Sequence, residues 1–345
     1  MAKQNKSNLE EALEKINLKF GKNSVMVLGD NEPNKVNCIP TGSLQLDKIL
    51  GGGIAIGRVA EIYGVEGAGK TSLCLQLVAQ CQAQGDSVAY VDVENAVDLN
   101  YAKTLGVDVS HLIFSQPSSA EQALDIVEAL VKSNEVKLVI IDSVAALAPQ
   151  AELDGEMGDA TIGLTARLMG KALRKITAAV NQANCAVVFI NQLRSNIGGY
   201  GNPDTTTGGR ALKYAASQRI EMRKTTAIKE GANVVGNMVK IKVVKNKISP
   251  PMQVVELPLI FGKGFAPGEE VIDLAIEFEF IQKGGAWFTT HDGIRLQGKA
   301  NVKGYYEEHP ELLEELTKMV KDRLAGVEVQ PEYEIDPNTG EVLEM

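Results

Sequence analysis

Residues 59–71 read Val59-Ala60-Glu61-Ile62-Tyr63-Gly64-Val65-Glu66-Gly67-Ala68-Gly69-Lys70-Thr71. A β-branched run ends in the pattern G-x-x-x-x-G-K-T, and an apolar helical pattern, Thr71–Gln84, follows it. Strand, glycine loop and helix in that order make a phosphate cradle. The glycines let the backbone curl so that successive N–H groups point inward, and the helix N-terminus adds its positive dipole end. Gly64, Val65, Glu66, Gly67, Ala68, Gly69, Lys70, Thr71 and Ser72 are assigned to this cradle. Lys70 is expected to reach the β- and γ-phosphates of ATP, and the Thr71 hydroxyl to hold Mg2+.

Outward from this loop, strand and helix patterns alternate. Val88–Asp92, Leu112–Ser115, Leu138–Asp142 and Ala186–Asn191 are short apolar runs. Between them lie helical stretches such as Ser118–Ser133, which opens on a Ser118/Glu121 capping-box pattern. This alternation predicts an α/β fold, a P-loop core with a mostly parallel sheet covered on both faces. The closely spaced runs Gln218–Arg223, Val239–Val244 and Gln253–Leu259 predict antiparallel additions.

The ends of the chain read differently. Residues 7–20 form one helical pattern, with a Ser7/Glu10 capping pair and Leu9, Ala12, Leu13, Ile16 and Phe20 on one stripe. A stretch rich in Gly, Asn and Pro follows, so the helix either folds back on the core or docks on another subunit. Four segments are expected: an N-terminal oligomerisation helix and linker (1–33), the ATPase core (34–266), a small C-terminal α+β domain (267–326) ending in the helix Pro310–Leu324, and a disordered acidic tail (327–345).

With 44% hydrophobic and 23% charged residues in 345, the composition is that of an ordinary globular protein. No apolar run approaches the roughly 18 residues of a membrane span. The opening MAKQNKSNLEEALEKI has no apolar core of a secretory signal, so the cytoplasm is expected. Cys38, Cys74, Cys81 and Cys185 lack metal-ligand spacing, and Cys74 and Cys81 read as buried thiols. The net charge of −9 does not exclude a nucleic-acid partner, because six acids and no base fall in residues 327–345, leaving −3 elsewhere.

Leu138–Asp142 is a buried strand ending in a carboxylate, and Asp142 is expected to bind the Mg2+ through water. Many P-loop ATPases place a glutamate next; here the residue is Ser143. Glu94, just past the strand Val88–Asp92 at the same sheet edge, is therefore assigned as the general base. Two loops follow strands at that edge: Glu152–Ile162, and Ser195–Gly209 with five glycines. Arg167, Lys171, Arg174 and Lys175 fall on one helical face after the first loop, and Arg210 and Lys213 follow the second. Beside an ATP site, such a basic face reads as a phosphate-binding surface. Ile162 and Ile197 are candidate apolar wedges between bases. Lys283, Arg295, Lys299 and Lys303 are candidates to guide duplex DNA.

Tyr63-Gly64…Gly69-Lys70-Thr71, Val91-Asp92-Val93-Glu94, Val139-Ile140-Ile141-Asp142-Ser143-Val144-Ala145-Ala146-Leu147 and Phe189-Ile190-Asn191-Gln192 resemble the RecA recombinase family. So do Asn202-Pro203-Asp204-Thr205-Thr206-Thr207-Gly208-Gly209 and Val243-Val244-Lys245-Asn246-Lys247, in the family's order and spacing. The resemblance runs from the N-terminal helix to about residue 326. It implies a DNA-dependent ATPase that forms a helical homopolymer on single-stranded DNA and pairs it with homologous double-stranded DNA for strand exchange. It further implies a LexA-type repressor as a partner, whose self-cleavage the filament promotes.

At the level of residues, the resemblance places Tyr101 and Asp98 against the adenine and makes Gln192 a sensor of the γ-phosphate. It takes Lys245 and Lys247, expected to alternate on one strand face, to the γ-phosphate bound by the neighbouring subunit. It carries DNA contacts onto Arg167, Arg174, Gly208 and Gly209. The sequence departs from the family pattern at Asn95 (commonly His), Tyr214 (Phe), Arg210 (Asn) and in a second loop one residue shorter. A hexameric helicase motor built on the same core is the competing reading.

Overall fold

Why the chain alternates is plain from what each strand buries. In the computed structural model, which describes residues 8–21, 24–25, 36–156, 163–195, 204–265, 268–327, 334–335 and 342–343, the central strands are buried on both faces.

Helix α1 (Asn8–Phe20) belongs to a unit of residues 1–36, separate from the unit 37–345. None of its residues is buried, and Leu9, Leu18 and Phe20 stay exposed. Ser7 of the expected capping pair lies outside the described residues.

The second unit opens with β1 (Cys38–Ile39), α2 (Leu44–Leu50) and β2 (Ile54–Ala55). The core then runs β3 (Val59–Gly64), α3 (Lys70–Ala83), β4 (Val88–Asp92), α4 (Leu99–Thr104), β5 (Ile113–Ser115) and α5 (Ala120–Lys132). It continues through β6 (Leu138–Asp142), α6 (Gln150–Leu153), α7 (Leu164–Gln182), β7 (Ala186–Ser195), β8 (Asp204–Thr206) and α8 (Ala211–Ala215). Three longer strands, β9 (Gln218–Glu230), β10 (Asn233–Lys245) and β11 (Val254–Ile260), precede the short β12 (Gly264–Phe265).

The sheet order is β12-β11-β10-β9-β3-β7-β6-β4-β5, with β8 paired to the far end of β7. Strands β9, β3, β7, β6, β4 and β5 are parallel. Of the expected antiparallel additions, β10 and β11 are antiparallel, whereas β9 joins the parallel side; β12 adds a further antiparallel strand. Ile140 and Ile190 pack with α3 on one face; Val139, Ile141 and Phe189 pack with α5 and α7 on the other. Two covered faces are why these strands read as unbroken apolar runs.

Helix α5 begins one residue later than its sequence pattern predicts. Ser119 Oγ accepts from Gln122 N (3.3 Å), and the Gln122 side chain accepts from Ser118 N (2.7 Å). Glu121 cannot close the expected box because its carboxylate accepts from Gln150 N (2.9 Å).

The C-terminal region builds α9 (Gly268–Glu277), β13 (Gln282–Gly284), β14 (Trp287–Thr289), β15 (Arg295–Gln297), α10 (Lys299–Glu308) and α11 (Pro310–Leu324) around Leu274, Phe280, Val302, Tyr306 and Leu316. It seats on α2, where Ser43 Oγ donates to Glu270 (2.6 Å) and Leu44 packs into the small core. In the tail, expected to be disordered, β16 (Glu334–Ile335) and β17 (Val342–Leu343) form a two-residue antiparallel ladder; residues 328–333, 336–341 and 344–345 lie outside the described residues.

Candidate nucleotide and nucleic-acid site

Parallel strands end at one edge, so residues far apart in sequence converge there. Gly64 stands in register with Gln192, and Asp92 with Asp142. The N–H groups of Val93 and Glu94 both donate to the Asp142 carbonyl (2.7 and 3.2 Å), which ties the turn after β4 to β6. Asp92 accepts from Ala96 N and Val97 N to close that turn. Asn95 turns there at φ +54, a conformation that asparagine tolerates better than most side chains.

In the cradle, Gly69 has φ +82, and a Cβ there would lie 2.6 Å from Leu259 Cδ2. Lys70 Nζ donates to the carbonyls of Gly64 (3.2 Å) and Val65 (2.9 Å). Burial holds its ammonium below the ordinary lysine range, opposed by the carboxylates of Asp142, Glu94 and Glu66. Thr71 Oγ1 (2.9 Å) and the Tyr90 hydroxyl (2.8 Å) both donate to Asp142 Oδ2. Burial raises the Asp142 carboxyl above its usual range, and those two hydrogen bonds oppose the rise. Glu94 Oε1 accepts from Ser143 Oγ and from Gln192 Nε2 (2.9 Å).

Lys70, Thr71, Glu94, Asp142, Ser143 and Gln192 line a cleft of about 450 Å³ together with Glu66, Gly67, Gly69, Ser72 and Tyr101. The donor set fits Mg-ATP. A half-buried lysine with backbone carbonyls for partners suits a polyphosphate, and the Thr71–Asp142 oxygen pair suits a hard cation. Gly64, Val65 and Ala68 do not line the cleft by side chain; Ala68 is fully buried, and these residues shape the loop.

Of the two adenine candidates, Tyr101 lines the cleft and its hydroxyl donates to Ser72 Oγ (2.9 Å). Asp98 does not line it. Its carboxylate caps α4, accepting from Asn100 N (2.8 Å) and Tyr101 N (3.3 Å). Sequence reasoning missed Ser143 as a partner of Glu94, and missed the cleft wall Leu259–Gly262. The first had a signal in the hydroxyl beside Asp142; the second had none beyond an apolar strand.

Lys245 and Lys247 do not alternate on a strand face as expected. Strand β10 ends at Lys245, with a register shift between Val243 and Lys245, so Lys247 lies in the turn beyond. Lys245 Nζ donates to the carbonyls of Lys213 (3.0 Å) and Tyr214 (3.1 Å) at the end of α8, and Lys247 is exposed. Tyr214 itself is 71% exposed.

On the DNA side, Arg167, Lys171 and Arg174 are exposed along α7. Lys175 is drawn instead to Glu128 on α5 (3.2 Å). Arg210 is exposed at the start of α8. Gly208 (φ +79) and Gly209 (φ +78) seat the end of the second loop, since added Cβ atoms would lie 2.6 Å from Val144 Cγ1 and 2.9 Å from Ala166 Cβ. Ile162 and Ile197 lie outside the described residues. In the small domain, Lys299 pairs with Asp273 and Lys303 approaches Glu307 (4.0 Å). Lys283 and Arg295 lie over the Phe288 and Trp287 rings at 5.8 and 5.2 Å.

A model of the RecA N-terminal domain matches residues 7–266, and one of the RecA C-terminal domain matches residues 269–325. The chain belongs to the RecA family. It is similar to Protein RecA of Nautilia profundicola, 50% identical over 325 residues that cover 93% of this chain and 92% of that protein. It is likewise similar to Protein RecA of Streptomyces ambofaciens (49% over 327 residues; 94% and 87% covered) and of Acinetobacter baumannii (47% over 342 residues; 96% and 98% covered). RecA proteins are DNA-dependent ATPases of homologous recombination and repair, and so is this chain. As a RecA protein it uses ATP with Mg2+, binds single- and double-stranded DNA and forms filaments; the helicase reading is not favoured. Among the described residues, no helix is long and apolar enough to cross a membrane.

Proposed function

We propose that this cleft hydrolyses ATP with Glu94 as general base and Gln192 as the link to DNA. The observation that carries the reading is the single Glu94 oxygen on which Ser143 and Gln192 converge. Glu94 takes a proton from the attacking water, and Gln192 and Ser143 hold its carboxylate in place. Lys70 lies against the phosphates and stabilises the charge that develops as ADP and phosphate separate. Mg2+, when bound, neutralises phosphate charge; Thr71 would hold it directly, and Asp142 through water.

Binding of the γ-phosphate competes with Glu94 for the Gln192 amide, and the next residues of β7 lead into the second loop. The state of the nucleotide is thereby passed along β7 toward that loop. Lys245, with Lys247 beyond it, supplies charge to the ATP of the next subunit, and Tyr214 meets that subunit. Leu9, Ile16 and Phe20 of α1 supply the other half of the subunit contact. Arg167, Arg174 and Arg210 bind backbone phosphates of single-stranded DNA, helped by backbone N–H groups of Gly208 and Gly209.

For duplex DNA, the small domain offers chiefly Lys283 and Arg295. Activation of a LexA-type repressor, action in the cytoplasm, and competition by the acidic tail for the duplex-guiding bases complete the reading. ATPase assays with and without single-stranded DNA, followed by imaging, test it. Strong stimulation together with helical filaments is expected; turnover that ignores DNA, with no polymer, overturns it.

A further inference from the structure

Both ends of the second loop are tied to a buried charge pair that the chemistry above does not use. Glu61, on β3, is fully buried. Its Oε2 accepts from Arg219 Nε on β9 (2.5 Å), and its Oε1 accepts from Asn191 Nδ2 on β7 (3.0 Å). Arg219 also lies over the Tyr63 ring, 4.5 Å from its centroid. Asn191 has three further bonds. Its Nδ2 donates to the Thr207 carbonyl (3.1 Å), and its Oδ1 accepts from Thr207 Oγ1 (2.5 Å) and from Gln192 N (2.9 Å). Thr207 precedes Gly208-Gly209, where the second loop returns, and Gln192 begins its departure. One amide therefore clasps both ends of the loop, and Glu61 sets how that amide is turned. On the far side, Arg219 is the register partner of Lys245.

A buried ion pair is a poor way to stabilise a sheet, since apolar residues of similar volume would do as well without the desolvation. What a carboxylate provides here is two acceptor oxygens, one for each neighbouring strand. We propose that Glu61 and Arg219 are positioning residues for DNA-stimulated ATP turnover. They hold Asn191 so that movement of Gln192 at the nucleotide is passed to Thr207, and they join that motion to Lys245 at the next subunit. The proposal rests on the roles given above to Gln192 and Lys245.

Glu61→Gln tests it. Glutamine can accept on one oxygen only and turns an N–H2 toward a donor, so one of the two bonds is lost. ATP binding, measured with a fluorescent analogue, is expected to stay at the wild-type level. The ratio of DNA-stimulated to DNA-free turnover is expected to fall about tenfold, as the loss of a coupling interaction would cause. Arg219→Lys, which keeps the charge but loses the planar fork, is expected to give the same loss and serves if Glu61→Gln does not fold. Gln192→Ala, assayed in parallel, separates the two levels of the argument. If Gln192→Ala loses stimulation while folded Glu61→Gln and Arg219→Lys keep it, the pair is structural and the proposal fails alone. If Gln192→Ala keeps stimulation, the reading of the site fails and takes the proposal with it. Failure of both charge variants to fold would likewise assign the pair to the fold.

Discussion

Gln192 donates its side-chain amide to Oε1 of Glu94 at 2.9 Å, across strands β7 and β4, which are not neighbours in the sheet. Ser143, the first residue after the intervening strand β6, donates to the same oxygen. A base held by two donors is oriented, and a change at either donor alters its aim.

Glu94→Gln keeps the size of the side chain and removes the base. ATP affinity should persist, while kcat should fall about 10²- to 10⁴-fold, the usual worth of a general base. Single-turnover hydrolysis alongside equilibrium nucleotide binding checks this; unchanged turnover would remove the assignment.

Lys245→Met removes an ammonium that now caps the carbonyls of Lys213 and Tyr214. Monomer stability should change by about 1 kcal/mol or less, as for other partly exposed charged groups. ATP-dependent filament assembly should be lost, with the Hill coefficient for ATP falling toward one. Light scattering and ATP titration read the two separately.

Arg174→Ala removes one exposed cation from the α7 face. The slope of log affinity against log salt for single-stranded DNA should shallow by about 0.7 per site. Lys175→Ala should change it less, because Lys175 is held by Glu128 at 3.2 Å.

Gly209→Ala forces a side chain onto φ +78 and to within 2.9 Å of the Ala166 Cβ. Stability should drop by about 1–3 kcal/mol from backbone strain, and DNA binding should weaken with it. Thermal melting and DNA titration of the same sample test both effects.

Asp47 gives the fold a pH dependence. Burial lifts its carboxyl to about 7, opposed by hydrogen bonds from Thr41, with Glu270 nearby adding to the rise. Between an ordinary carboxylate value and about 7, the folded chain holds a proton that the unfolded chain has released. That stabilisation is full at low pH and is lost as pH rises through 7. Asp47→Asn should flatten the melting temperature between about pH 4 and 7, removing a dependence worth about 1–2 kcal/mol after discounting its partial exposure.

Much of the site was legible because its signals are local. The cradle is contiguous, and Asp142 and Glu94 each end or follow an apolar run, so a parallel sheet had to bring them to one edge. Other readings needed the third dimension. Lys245 and Lys247 looked like strand neighbours, but β10 ends at Lys245 and leaves Lys247 in the turn beyond. Asp98, which the family resemblance places against the adenine, also caps α4, a role its sequence position did not announce. Glu121 looked like a capping-box partner but bonds Gln150, 29 residues away.

The amino-acid sequence alone determined the order of strands and helices, the phosphate loop and the family, since periodicity, glycine placement and short motifs act over a few residues. Only the tertiary structure decided which polar side chains meet: Glu61 with Arg219, Asn191 with Thr207, Ser143 and Gln192 with Glu94. Those pairings join segments up to 158 residues apart. They depend on strand register and on which face each residue presents, and a linear pattern does not carry that information across a sheet.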